Sequence, residues 1–180
     1  MSEVWLPIKH LEEENNMGKE KFTFNDFIVN IDVIHVDFYN EINELLTKNG
    51  YMEKVELKKF GYGLSYYNKS TKKSILNFVT RKKGTYIRIY GNHTDNYLES
   101  FTKLPISMIQ ELEKGHECTR MTDPNACNSR CGMGVNILID GELYGKCRFA
   151  ALFFLITPEK YDAVKEILVA EMKERTQIVR

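Results

Sequence analysis

Apolar positions along this chain change their spacing several times, and each change marks an element. From Phe27, the residues Ile28, Ile31, Ile34, Phe38, Ile42 and Leu45 recur every three or four positions. That spacing predicts a helix that stops at Asn49–Gly50. Asn25 or Asp26 offers a cap for its start. The early part, FIVNIDVIHV, is rich in β-branched residues, so the helical signal is clearest from Asp37 to Lys48. Strand signals follow at Val55–Tyr67, with a bend or bulge expected at Gly61 and Gly63, then at Ser74–Thr80 and Thr85–Tyr90. The turns between them, Asn68–Lys73 and Arg81–Gly84, are short and polar, which makes an antiparallel meander. In the last of these strands Ile87 and Ile89 share one face, and Tyr86, Arg88 and Tyr90 the other.

A second helical stretch is expected from Thr94 or Asp95 through Leu98 and Phe101. Pro105 then stands as a first helical residue ahead of Ile106, Ile109 and Leu112, and Gly115 as the stop. Val135, Ile137 and Ile139 alternate as a strand, Asp140–Gly141 is a two-residue hairpin signal, and Leu143–Leu155 returns. Thr157–Pro158–Glu159 opens a last helix whose buried stripe is Tyr161, Val164, Ile167, Leu168 and Met172. Strands joined by short turns and set apart from the helices predict an α+β fold. It has an antiparallel sheet of about five strands, helices on one face, and a cysteine-bearing loop over 116–134.

Residues 1–24 are mostly polar and read as a loosely ordered N-terminal arm, with Trp5, Leu6 and Ile8 as anchors; residues 25–180 read as a single domain. At 180 residues and 43% hydrophobic content the chain can bury a real core. Lys plus Arg and Asp plus Glu number 25 each, a balance that argues against a general polyanion binder. The charge is nevertheless uneven, with a net of −6 over residues 1–50, +8 over 51–90 and −2 over 91–180. No basic start leads into an apolar run, and no window approaches 18 apolar residues. A cytoplasmic protein without a membrane partner is the expectation, its cysteines reduced or metal-bound.

All four cysteines, Cys118, Cys127, Cys131 and Cys147, fall within 30 residues as C-x8-C-x3-C-x15-C. The loop holding the first three is poor in apolar residues, so burial cannot organise it. A structural zinc held by four thiolates would supply the missing energy. Arg120, Arg130, Lys146 and Arg148 flank the cysteines and would balance the site's negative charge. The spacing is looser than the usual C-x2-C, so other arrangements stay open: small buried thiols, thiols beside a ligand pocket, two disulfides, or His116 as a substitute ligand.

The four histidines form no zinc-hydrolase pattern, and no phosphate-binding glycine loop or G-x-S-x-G elbow is present. The leading functional reading is therefore a zinc-containing binding or sensor module rather than an enzyme. One alternative is a thiol-dependent redox protein, or one that binds a soft metal or an electrophile. Another is a nucleic-acid-associated protein that uses the basic, aromatic segment 51–90. Tyr86, Arg88 and Tyr90 are candidates to line a small-molecule pocket beside the cysteines.

The stretch CTRMTDPNACNSRCGMG, followed by YGKCR, resembles a group of small cysteine-cluster proteins of anaerobic Gram-positive bacteria. The matching residues are Cys118, Arg120, Pro124, Cys127, Asn128, Arg130, Cys131, Gly134, Tyr144, Lys146, Cys147 and Arg148, and the similarity extends over about residues 37–175. Val135–Asn136 departs from that group, where an aromatic residue is expected after the glycine. The resemblance implies a fold and a cysteine cluster, and no activity. The helix–meander–helix order also resembles, in architecture only, the small frataxin-like domains.

Overall fold

A computed structural model describes residues 21–128 and 131–177 of the 180. The arm with Trp5 up to residue 20, and Arg130, lie outside the described residues. Thr23 caps the first helix, α1 (Phe24–Ile28), through a reciprocal box in which its backbone N–H donates to Asp26 Oδ2 at 2.7 Å. A 3-10 turn at Val33–His35 leads into α2 (Val36–Lys48). The sheet then builds from β1 (Tyr51–Lys58), β2 (Gly61–Asn68), β3 (Ser74–Arg81) and β4 (Gly84–Ile89), all antiparallel to their neighbours.

After α3 (Ile106–Lys114) and the short α4 (Thr119–Thr122) comes a separate hairpin of β5 (Val135–Ile139) and β6 (Glu142–Lys146). Its turn, Asp140–Gly141, has φ of 48° and 83°, the left-handed pair that such a hairpin requires. Next, β7 (Phe153–Leu155) joins the free edge of β4, so the main sheet runs β1-β2-β3-β4-β7. A 3-10 turn at Pro158–Lys160 and α5 (Tyr161–Gln177) complete the described chain.

The α+β class and the five-stranded antiparallel sheet are as expected, but the sheet's membership differs. Val55–Tyr67 is two strands, folded back at Lys59–Phe60. Gly61, with φ of 125°, turns the chain straight into β2. The second half of Leu143–Leu155 leaves its hairpin after Lys146 and crosses to β4. The helical stretch expected from Thr94 through Phe101 is two 3-10 turns, Thr94–Asn96 and Leu98–Phe101. The chain entering those turns is pinned from outside. The backbone N–H groups of Asn92 and His93 donate to Glu171 Oε2 of α5 at 3.0 and 3.2 Å, and the Tyr97 hydroxyl donates to the same oxygen at 2.7 Å.

The two faces of the sheet are unlike. Leu64, Tyr66, Leu76, Phe78, Ile87, Ile89 and Phe154 are all buried. They join one core with Phe38, Tyr39, Ile42 and Leu46 of α2 and with Val164, Ile167 and Leu168 of α5. Tyr39 sits edge-on to Phe27 and Phe78, with ring centroids 5.2 and 4.8 Å apart. The alternate residues Ser65, Asn77, Val79, Tyr86, Arg88 and Phe153 point to the other side and stay half-buried, on a face that meets α3 at β7. Among the described residues no helix is long and apolar enough to cross a membrane.

Candidate functional site

The expected zinc site is not formed. Among the described residues no three His, Cys, Asp or Glu side chains gather where they could hold a metal. The zinc cofactor and the zinc-containing binding or sensor module inferred from it therefore fall. All four cysteines carry free thiols; Cys127 is exposed, and Cys118, Cys131 and Cys147 are half-buried. Backbone pairing fixes two of them. The Cys118 N–H donates to Gly145 O at 2.9 Å, and the Cys147 N–H donates to His116 O at 2.8 Å, on either side of a bridge between Glu117 and Lys146.

What ties the apolar-poor loop together is a guanidinium. Arg120 donates from Nε to Pro124 O at 3.1 Å, and from Nη1 to Asn128 O at 3.2 Å and to Cys131 O. An Asx turn, with the Asn125 N–H donating to Asp123 Oδ1 at 2.9 Å, completes the bend. Carbonyls that a metal-folded loop would leave to water are thus gathered on one cation. Lys146, buried, donates to Glu113 O at 3.2 Å and Gly115 O at 3.1 Å, which closes the C-terminus of α3. Arg148 packs against Gly132, where an added Cβ would lie 2.6 Å from its Nη1.

A pocket of about 300 Å³ opens where the bare face of the sheet meets α3 and the turn after β6. Arg88, Glu111, Lys114, His116, Phe149 and Phe153 are among its walls. Register brings Arg88 opposite Phe153, and its guanidinium carbon lies 4.6 Å from that ring's centroid. Tyr86 stacks on the same ring at 4.9 Å, and Tyr90 meets Phe149 edge-on at 6.0 Å. Arg88 Nε is sealed from solvent with no hydrogen-bond partner. Asn77, its register partner on β3, uses Nδ2 to hold the Tyr90 hydroxyl at 2.9 Å, and its Oδ1 is likewise buried and unpaired. Glu111, the acidic wall, is already engaged. It accepts from Lys160 Nζ at 2.9 Å and from the Leu155 N–H at 3.3 Å.

The aromatic residues of 51–90 do not form a stacking platform for bases. Tyr66 is in the core, Tyr62 meets Phe22, and Tyr86 and Tyr90 are occupied by Phe153 and Phe149. Four of the segment's cations have partners, and Lys69, Lys73, Arg81, Lys82 and Lys83 are exposed in its turns and strand ends. Lys54 and Lys58 flank Glu56 at 2.8 Å each and hold its carboxyl down at about 2. Lys59 lies over Phe60, and Lys72 over Tyr67. Nothing here links the segment to nucleic acid.

Of Tyr86, Arg88 and Tyr90, which strand alternation had set on one face, Arg88 alone is among the residues that line the pocket; Tyr86 and Tyr90 pack against two of its walls, Phe153 and Phe149, which with Glu111 had not been singled out. Phe149 and Phe153 lay inside Leu143–Leu155, which read as a single returning strand, and the crossing of β7 to β4 is what brings Phe153 over Arg88. No family model, no curated protein and no solved structure matches the chain. The resemblance to cysteine-cluster proteins and to frataxin-like domains therefore rests on the spacing of Cys118, Cys127, Cys131 and Cys147 and on element order, with no relative beside it.

Proposed function

We propose that this protein binds a small anionic molecule in the pocket at Arg88. The observation that carries the reading is Arg88, which lines the pocket together with Lys114 and His116 and whose Nε has no hydrogen-bond partner within the protein. The Arg88 guanidinium on the pocket wall can donate a charge-assisted bond, worth about 1.5–3 kcal/mol, to a carboxylate or phosphate oxygen. Lys114 and His116 stand on the same wall, and the one carboxylate there is already neutralised by Lys160, so the pocket favours negative charge. The exposed ring of Phe149 suits an apolar or planar body attached to that anion.

The test uses benzoate and inorganic phosphate as probes, followed by NMR on the arginine Nε–H signals. Saturable binding that moves the Arg88 signal, and that is lost in Arg88→Gln but kept in Lys83→Gln, is the expected result. Absence of saturable binding by either probe, or equal binding by Arg88→Gln, overturns the proposal.

A further inference from the structure

We infer, resting on that reading, that the molecule held at Arg88 is an amphipathic carboxylate whose apolar chain lies across the strands over Gly63. Register sets two rows side by side on the bare face. Ser65, Asn77 and Arg88 stand opposite one another on β2, β3 and β4, and Gly63, Val79 and Tyr86 do the same one step along. The first row is polar and ends in the unpaired guanidinium. The second is apolar and half-buried, and runs parallel to it. A second cavity, of about 450 Å³, lies over the β1–β3 part of these rows and is lined by Lys58, Gly63, Ser65, Asn77 and Val79 among others. Asn77 borders this cavity and stands opposite Arg88 in register, so the second cavity begins one strand away from the first pocket. At ~4.8 Å between strands, the distance from Arg88 to Ser65 is about 10 Å, the reach of a medium-length acyl chain.

Gly63 is the second, independent sign. Its φ lies outside the left-handed range, in contrast to Gly61, so the backbone does not demand a glycine. Packing does not demand one either, since an added Cβ would meet nothing nearer than 3.4 Å, and that neighbour is the flexible stem of Lys58. A mid-strand glycine costs stability and usually marks a close approach by something else. Here it keeps the floor of the trough low. Val79 and Tyr86 beside it give a chain an apolar wall, and Ser65 and Asn77 leave room for a polar edge. A ligand with an anionic head and an apolar tail uses every one of these features, whereas a compact anion would use only Arg88.

The experiment titrates the full chain with straight-chain carboxylates from propionate to decanoate, by calorimetry and by the Arg88 Nε–H signal. Affinity is expected to rise about three- to fourfold per methylene over the first part of the series, then level off as the trough ends. Gly63→Val should flatten that rise and leave propionate within about twofold of wild type. Val79→Ser, which touches the trough from the other strand, should weaken decanoate and spare propionate; it gives an independent answer if Gly63→Val folds poorly. Propionate binding with no dependence on chain length, or an unchanged dependence in both variants, overturns the trough and leaves the anion site standing. Failure of every carboxylate to bind removes the trough, and failure of inorganic phosphate as well removes the anion site.

Discussion

A methyl group at Gly134 would lie 2.5 Å from Cys118 Cβ and 2.6 Å from the carbonyl oxygen of Lys146. One neighbour is main chain and the other is a carbon one bond from it, so neither can swing aside. At Gly63 the same methyl meets a lysine stem at 3.4 Å and the Phe78 carbonyl oxygen at 3.5 Å, both ordinary contact distances. Gly134→Ala is therefore expected to destabilise by about 1–3 kcal/mol, as overpacking does. Gly63→Ala, by contrast, should be neutral or slightly stabilising, because it removes backbone freedom from the unfolded chain. Thermal melts of the two variants check this, and equal effects would mean that the close approach at Gly134 is not rigid. The comparison also separates two settings for a glycine: a forbidding contact with the Cys118 segment in one case, and ordinary van der Waals contact in the other.

Among elements, the cysteine loop hangs on one side chain. Arg120 collects carbonyls of Pro124, Asn128 and Cys131 from a fork that a lysine cannot reproduce. Arg120→Lys is expected to raise amide exchange and protease cleavage within 119–131 by tenfold or more. It should leave β1 to β4 protected, because no strand of the main sheet depends on the loop. Protection that persists in the variant would show that backbone turns alone hold the loop. This role was not legible in the sequence. Four clustered cysteines in an apolar-poor stretch called for an organising ion, and the arginine beside them offered only a charge. Carbonyl capture depends on the path of the loop in space, which residue types do not report. Elements with a clean period were legible: α2, β3, β4, β5 and α5 all lie close to where spacing placed them. The turn at Lys59–Phe60 escaped because its bulky residues lack turn chemistry and the glycines that mark a break follow it. The crossing of β7 escaped because partner choice at a sheet edge is non-local.

At the scale of the molecule, stability and ligand binding fall on opposite sides of one sheet. Phe78 and Val79 are neighbours on β3, yet Phe78 is 1% exposed among Phe27, Tyr39 and the α2 residues, while Val79 lines the trough. Phe78→Ala is expected to cost about 3–5 kcal/mol in urea denaturation, the range for a buried aromatic. Val79→Ala should cost less than about 1 kcal/mol, because its partly exposed side chain leaves no sealed cavity behind. If the two substitutions cost alike, another layer covers the second face and neither pocket is free for a ligand. If they differ as expected, the bare face is not needed to keep the chain folded. Its half-buried Val79, its mid-strand glycine and the unpaired nitrogen of Arg88 are then not explained by stability, and a bound molecule is what would account for all three.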